Sequence, residues 1–200
     1  MNKSQFLSNF SLNQPVEYHS EGLERVAGFD RKKLRKAAVI IGCVERENGL
    51  NVILTKRALH LRHHPGQISF PGGKQEDNDP GAADTAIREA HEEIGLLPSM
   101  IDIIGTLPPL ITVSRFDVTP VVAFVSPDYQ PVIDQNEVES VFEVPASHLF
   151  DIQQLYSQKF KIKGLNHRVF AIPYKHHFIW GVTAQIIQAL QLQLFNSNQG

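Results

Sequence analysis

A chain of 200 residues with 42% hydrophobic content can bury one substantial core but has no room for two complete domains. Its formal charge of -2, from 19 Lys and Arg against 21 Asp and Glu, lacks the basic excess of a nonspecific nucleic-acid binder, so an acidic ligand must be met by a local cluster. Cys43 is the only cysteine, which excludes an internal disulfide and a cysteine-rich metal site.

The setting of Cys43, AAVIIGCV, reads as a buried thiol in a reducing compartment. The first twenty residues contain no continuous apolar run of signal-peptide type, and no later stretch approaches the roughly 20 residues needed to span a bilayer. A cytoplasmic protein with no membrane partner is expected.

Residues 1–35 are polar and mixed and read as an N-terminal arm, with one short helix predicted within Gly22 to Lys36; the folded domain is read as residues 36–200. The aliphatic run Ala37 to Val44 predicts a buried strand. After the turn-like Glu47-Asn48-Gly49, Val52 to Thr55 predicts its hairpin partner. Gln67 to Phe70 predicts another short strand, which Pro71-Gly72-Gly73 should end in a turn.

Asp79 as N-cap, Pro80 at the first helical position and Gly95 at the C-terminal cap predict a helix over Asp79 to Gly95. Strands follow at Ile101 to Leu107, Val118 to Val125 and Val138 to Val144, and Ile179 to Phe195 has the spacing of an amphipathic helix. Mixed strands with one central and one C-terminal helix imply an α/β sandwich, in which helices cover a mixed sheet.

On the central helix, Ala83, Ala86, Ile87, Ala90 and Ile94 gather on one face and supply the surface that docks on the sheet. Glu89, Glu92 and Glu93 lie beside it at spacings of three and four, so their carboxylates leave one sector of the helix. Like charges so placed repel, and hard divalent cations would neutralise them; Mg²⁺ favours such carboxylate oxygens and bridges them to phosphates. A charge run of this kind is, on its own, most often a solvated face. The surrounding residues argue for the metal.

Gly73, Asp79 and the run Arg88-Glu89-Ala90-His91-Glu92-Glu93-Ile94-Gly95-Leu96 resemble the Nudix box, G-x5-E-x7-R-E-U-x-E-E-x-G-U with U aliphatic. Asp79 stands where the box has Glu, and one extra residue precedes Arg88. Such a lengthened box with Asp is what a resemblance to the coenzyme A pyrophosphatase branch implies. Upstream, Leu54-Thr55-Lys56-Arg57 and Arg62-His63-His64-Pro65-Gly66-Gln67-Ile68-Ser69-Phe70-Pro71-Gly72-Gly73 are similar to that branch's signature, L-L-T-x-R-[SA] followed by R-x-H-x-G-Q-[IV]-[SA]-F-P-G-G, with Ile53 and Ala58 deviating. Ile179 to Ala184 resembles the start of the branch's C-terminal helix. The likeness runs from about Lys36 to about Leu194.

This resemblance implies a Nudix-type α/β/α sandwich, a mixed sheet between helices, and hydrolysis of coenzyme A or its derivatives to 3′,5′-ADP and 4′-phosphopantetheine with Mg²⁺ or Mn²⁺. Glu89 and Glu93 become the main metal ligands, and Glu92 completes the site directly or through water and orients the nucleophilic water. Arg88 holds a glutamate in place by a charge-assisted hydrogen bond. Asp79 reads as a structural cap that can also pair with Arg88. Arg57 and Arg62 supply bidentate phosphate contacts, and Gly72 and Gly73 let the backbone pass close to the helix.

Glu137 and Glu139 are candidates for the base, although an acidic strand edge explains them as well. His63 and His64 are weaker binding candidates than the arginines, with turn packing favoured for His63, and no His pair has the helical spacing of a zinc site. Two other readings stay open: hydrolysis of another nucleoside diphosphate compound such as ADP-ribose or a dinucleotide, and a ligand-sensing module that has kept the fold without catalysis.

Overall fold

A computed structural model of the protein describes residues 1–162 and 165–195. Helices α1 (Lys3–Leu12) and α2 (Ser20–Glu24) lead into strand β1 (Arg35–Arg46), followed by β2 (Gly49–Arg57), β3 (Ile68–Ser69) and β4 (Gly72–Lys74). Helix α3 (Ala82–Ile94) precedes β5 (Ile101–Thr106), β6 (Leu110–Ile111), β7 (Phe116–Val125) and β8 (Val138–Pro145). A short α4 (Ala146–Leu149), three strands β9 (Tyr156–Ile162), β10 (Leu165–Tyr174) and β11 (His177–Trp180), and helix α5 (Val182–Phe195) complete the chain.

The main sheet runs β3-β2-β1-β7-β5, with β8 joined to β2, β4 to β1 and β6 to β7. It is mixed: β1 and β7 pair in parallel from Arg35–Phe116 to Val44–Val125, whereas β2, β4 and β5 join antiparallel. Alternation along each strand divides the core into two layers. Ala38, Ile40 and Val44 of β1 and Val121, Ala123 and Val125 of β7 meet Ala86, Ala90 and Ile94 of α3. Ile41, Cys43, Val122 and Phe124 face the opposite way, toward Phe6 of α1, Leu149 of α4 and Ile186 and Leu190 of α5. Helices therefore cover both faces, as in a Nudix-type α/β/α sandwich. Complete burial pushes the Cys43 thiol up to about 12.

The strands foreseen in the main sheet are present, β1, β2, β7 and β8 longer than foreseen and β3 and β5 shorter, and the hairpin closes over Glu47-Asn48-Gly49 with Gly49 at φ 106°. Several expectations are corrected. Gly72-Gly73 does not turn away from the sheet: it runs extended along β1, Gly72 opposite Val39 and Gly73 opposite Ala38. Helix α3 begins at Ala82 with Gly81 as its N-cap, because the Asp79 carboxylate is occupied elsewhere. Ile179 and Trp180 belong to β11, and Gly181, at φ 69°, separates them from α5. Among the described residues no helix is long and apolar enough to cross a membrane.

The first residues are also more than an arm. Phe6 is fully buried, its ring centroid 6.1 Å from Phe10, 5.8 Å from Phe124 and 5.9 Å from Phe150. Gln193 of α5 donates to the Phe10 carbonyl at 2.9 Å and Asn13 donates to the Gln193 carbonyl at 2.8 Å. The helix predicted within Gly22 to Lys36 is reduced to Ser20–Glu24 and a 3-10 turn at Arg31–Lys33.

Candidate active site

Strand β4 and helix α3 meet where two glycines face two glutamates. A Cβ on Gly72 would stand 2.3 Å from the Ala38 carbonyl oxygen and 2.6 Å from Val39 Cα, and its φ of 152° disfavours any side chain. A Cβ on Gly73 would fall 2.5 Å from the Glu89 carboxyl carbon. The absence of both side chains gives α3 its close approach and leaves the Gly72 N–H to donate to Glu93 Oε2 at 3.1 Å.

Glu93 is only 4% exposed. Burial pushes its carboxyl up to about 8, with the Glu89 and Glu137 carboxylates adding to the rise and the Gly72 N–H and the Arg57 guanidinium opposing it. Burial also raises Glu89 above the usual carboxylate range, against the pull of Arg88. A pair of crowded, poorly solvated carboxyls is an unfavourable arrangement without a cation. Their hard oxygen donors suit a divalent metal.

Arg88 organises the rest. Its Nε donates to Asp79 Oδ1 at 3.0 Å and its Nη2 to Asp79 Oδ2 at 3.0 Å, while Nη1 donates to Glu92 Oε2 at 2.8 Å. Nη2 also reaches the Lys74 carbonyl and Glu89 Oε1, each at 3.0 Å. The guanidinium is thus spent on protein partners and is a positioning group, with no fork left for phosphate. In return Arg88, aided by the Glu76 N–H and Thr85 hydroxyl, holds the Asp79 carboxyl down at about 2. This explains the displaced helix start: Asp79 clasps Thr85 and Arg88 from outside the helix instead of capping it.

The three glutamates share one helix edge but not one environment. Glu92 is exposed and turned to Arg88, so among the described residues no three Asp, Glu, His or Cys side chains already converge on a single metal position. Spacings of three and four serve an ion pair as well as a shared cation, and here the ion pair has taken Glu92.

The end of β2 carries further charge to this junction. The Arg57 N–H donates to the Gln67 carbonyl at 3.0 Å, the Ala58 N–H donates to the Glu137 carbonyl at 2.9 Å, and both side-chain charges act on Glu93. Arg57 and Glu137 therefore belong to the neighbourhood of the glutamates, whereas Glu139 is an exposed residue of β8. Arg62 is also exposed, and among the described residues it forms no ion pair or side-chain hydrogen bond. His63 and His64 are exposed, with the left-handed turn falling on His64 at φ 56°. Thr85, which anchors Asp79, carried no signal in the sequence.

The NUDIX domain family matches residues 33–168, a span that contains every one of these groups. The Nudix hydrolase NudL of Enterobacter sp. (strain 638) is 41% identical over 189 residues, covering 94% of this chain and 93% of that protein. NudL of Escherichia coli (strain K12) is 39% identical over the same shares. Among solved structures, a MutT/nudix family protein from Enterococcus faecalis aligns with a TM-score of 0.50 at 14% identity, covering 98% of this chain and 69% of that one, a likeness of fold alone. A sequence family spanning two thirds of the chain, near-full-length relatives and the glycine-glutamate junction agree: the chain belongs to the Nudix family and is a hydrolase acting on pyrophosphate bonds.

Proposed function

We propose that the chain cleaves the phosphoanhydride of coenzyme A or its derivatives to 3′,5′-ADP and 4′-phosphopantetheine. The observation that carries this reading is the segment Leu54 to Gly73. It resembles the coenzyme A signature and leads without interruption from Arg57, whose charge reaches Glu93, to the glycines against which Glu89 and Glu93 lie.

Nudix hydrolases generally need divalent metal ions. Glu89 and Glu93 would hold Mg²⁺ or Mn²⁺, with Glu92 joining them once released from Arg88. Bound cations supply charge neutralisation on the phosphate oxygens and a water of lowered pKa. The chain's own groups do the rest. The Gly72 N–H fixes Glu93, Arg88 fixes Glu89, and Arg57 presents a bidentate donor to a phosphate. Arg62 extends the same cationic side from its loop. Glu92 orients the attacking water, with Glu137 as the competing candidate for base.

Side-by-side turnover of coenzyme A, ADP-ribose and a dinucleoside polyphosphate, each with Mg²⁺ and with Mn²⁺, tests the substrate. Mass spectrometry of the products formed in heavy-oxygen water reports the bond broken and the phosphorus attacked. A preference for ADP-ribose over coenzyme A overturns the assignment.

A further inference from the structure

Strands β9, β10 and β11 form a separate antiparallel sheet in the order β11-β10-β9. One face is spoken for. Ile172 and Ile179 are buried in the core on the side of α5, and Arg168 and Lys159 reach Glu21 of α2 at 3.2 Å and 2.6 Å. The other face points outward and is built of aromatic rings. Tyr156 is 59% exposed, Phe160 44%, Phe178 58% and Trp180 44%. They are in register: Trp180 lies opposite Ala171, which lies opposite Tyr156, and Phe178 lies opposite Pro173. Between Tyr156, Phe160 and Phe178 runs a groove of about 500 Å³.

Two features narrow the choice of occupant. Gln158, Val169, Ala171 and Pro173 are the positions between the rings, so the strands place no Asp, Glu, Lys or Arg among them, although a fifth of the chain is charged; charge comes near only beside Phe160, where Arg25 meets His167 at 3.2 Å. A patch whose centre carries no charge can meet its own copy across a two-fold axis with no like-charge penalty there. The free edge of the sheet, by contrast, bears Lys159 and Lys161, the residues that discourage strand-to-strand pairing. Association by the face is favoured over association by the edge.

The area is also of the right size. A fully buried aromatic side chain covers roughly 150–250 Å², so four half-exposed rings offer about 400 Å². A standard interface buries roughly 800 Å² per partner, about two thirds of it apolar between identical subunits. The aromatics with Val169 and Pro173 supply most of that apolar share.

We propose that the outward face of the β9-β10-β11 sheet is the dimer interface of this protein, packed against the same face of a second copy.

Sedimentation velocity over a wide range of concentration tests this on the full chain. The wild type should sediment as a dimer, and Trp180, the only tryptophan, should shift its emission to longer wavelength on dilution. Phe178→Glu and Gln158→Glu should each raise the dimer dissociation constant by roughly a hundredfold or more, because each would bury an unpaired carboxylate against the apolar face of the second copy. Both positions are exposed, so the circular dichroism and the turnover per chain should not change. A wild type that stays monomeric throughout, variants that remain dimeric, or a monomer that instead binds phosphatidylcholine vesicles through this face would overturn the proposal.

Discussion

In Gly73→Ala the added methyl carbon would stand 2.5 Å from the Glu89 carboxyl carbon and from one of its oxygens. Ordinary contact begins near 3.4 Å, so the carboxylate must retreat by about 1 Å. The atom in the way is the end of a flexible side chain, and moving it loosens the 3.0 Å pairing of Glu89 with Arg88 without disturbing the backbone. Lost pairing is offset by the reduced freedom of the unfolded chain when glycine becomes alanine, about 0.4–1 kcal/mol. Stability should therefore change by about 1 kcal/mol or less, a melting-temperature shift of roughly 2–4 °C for a chain of this size. Turnover should fall by about a hundredfold, the usual cost of a 1 Å misplacement at the reacting centre. Calorimetry and a steady-state assay of 3′,5′-ADP release measure the two together. Undiminished turnover, or a chain that no longer folds, would refute the placement of Glu89 against β4. Gly72→Ala is the control: its methyl would meet the backbone of Ala38 and Val39 at φ 152°, and strain with overpacking should cost several kcal/mol.

Glu93→Gln keeps the acceptor for the Gly72 N–H and should fold normally, while metal-dependent turnover drops by several orders of magnitude; unchanged turnover would remove Glu93 from the ligand set. Asp79→Asn should lower stability at neutral pH. The folded Asp79 is held at about 2, below its ordinary value near 3.9, so its contribution is full above pH 4 and disappears as pH falls through 2. The unfolding free energies of the two proteins, from denaturant titration, should accordingly converge across that window, and parallel curves would contradict the clasp. Phe6→Ala should cost about 3–5 kcal/mol in a denaturant titration, which a loosely attached arm could not do.

The legible parts of the fold are those in which local pattern and tertiary role coincide. The run Ala37 to Val44 is apolar at every position because both faces of β1 are covered, and Gly95 ends α3 at φ 68° as its place after the periodic residues requires. The candidate site was legible only through context: Glu89, Glu92 and Glu93 alone read as a solvated face, and it was the likeness of Arg88 to Leu96 and of Leu54 to Gly73 to family signatures that singled them out. What spacing alone could not resolve was which glutamates lie against β4 and which one pairs outward with the arginine, since the separation of four between Arg88 and Glu92 serves either arrangement. The sheet from β9 to β11 stayed hidden because Lys159 and Arg168 on its inner side answer to Glu21, a partner more than a hundred residues away. Helix α1 stayed hidden because two phenyl rings, Phe6 and Phe10, do nearly all its packing. They make a sparse stripe that a count of apolar residues passes over.

The clamp between α1 and α5 sets an order of events during synthesis. Phe6 and Phe10 leave the ribosome well before their neighbours Phe124, Phe150 and Gln193, the last of them 183 residues downstream of Phe10. Until then the opening segment must wait with its two rings in water, so a nascent polypeptide truncated before α5 would present them to chaperones.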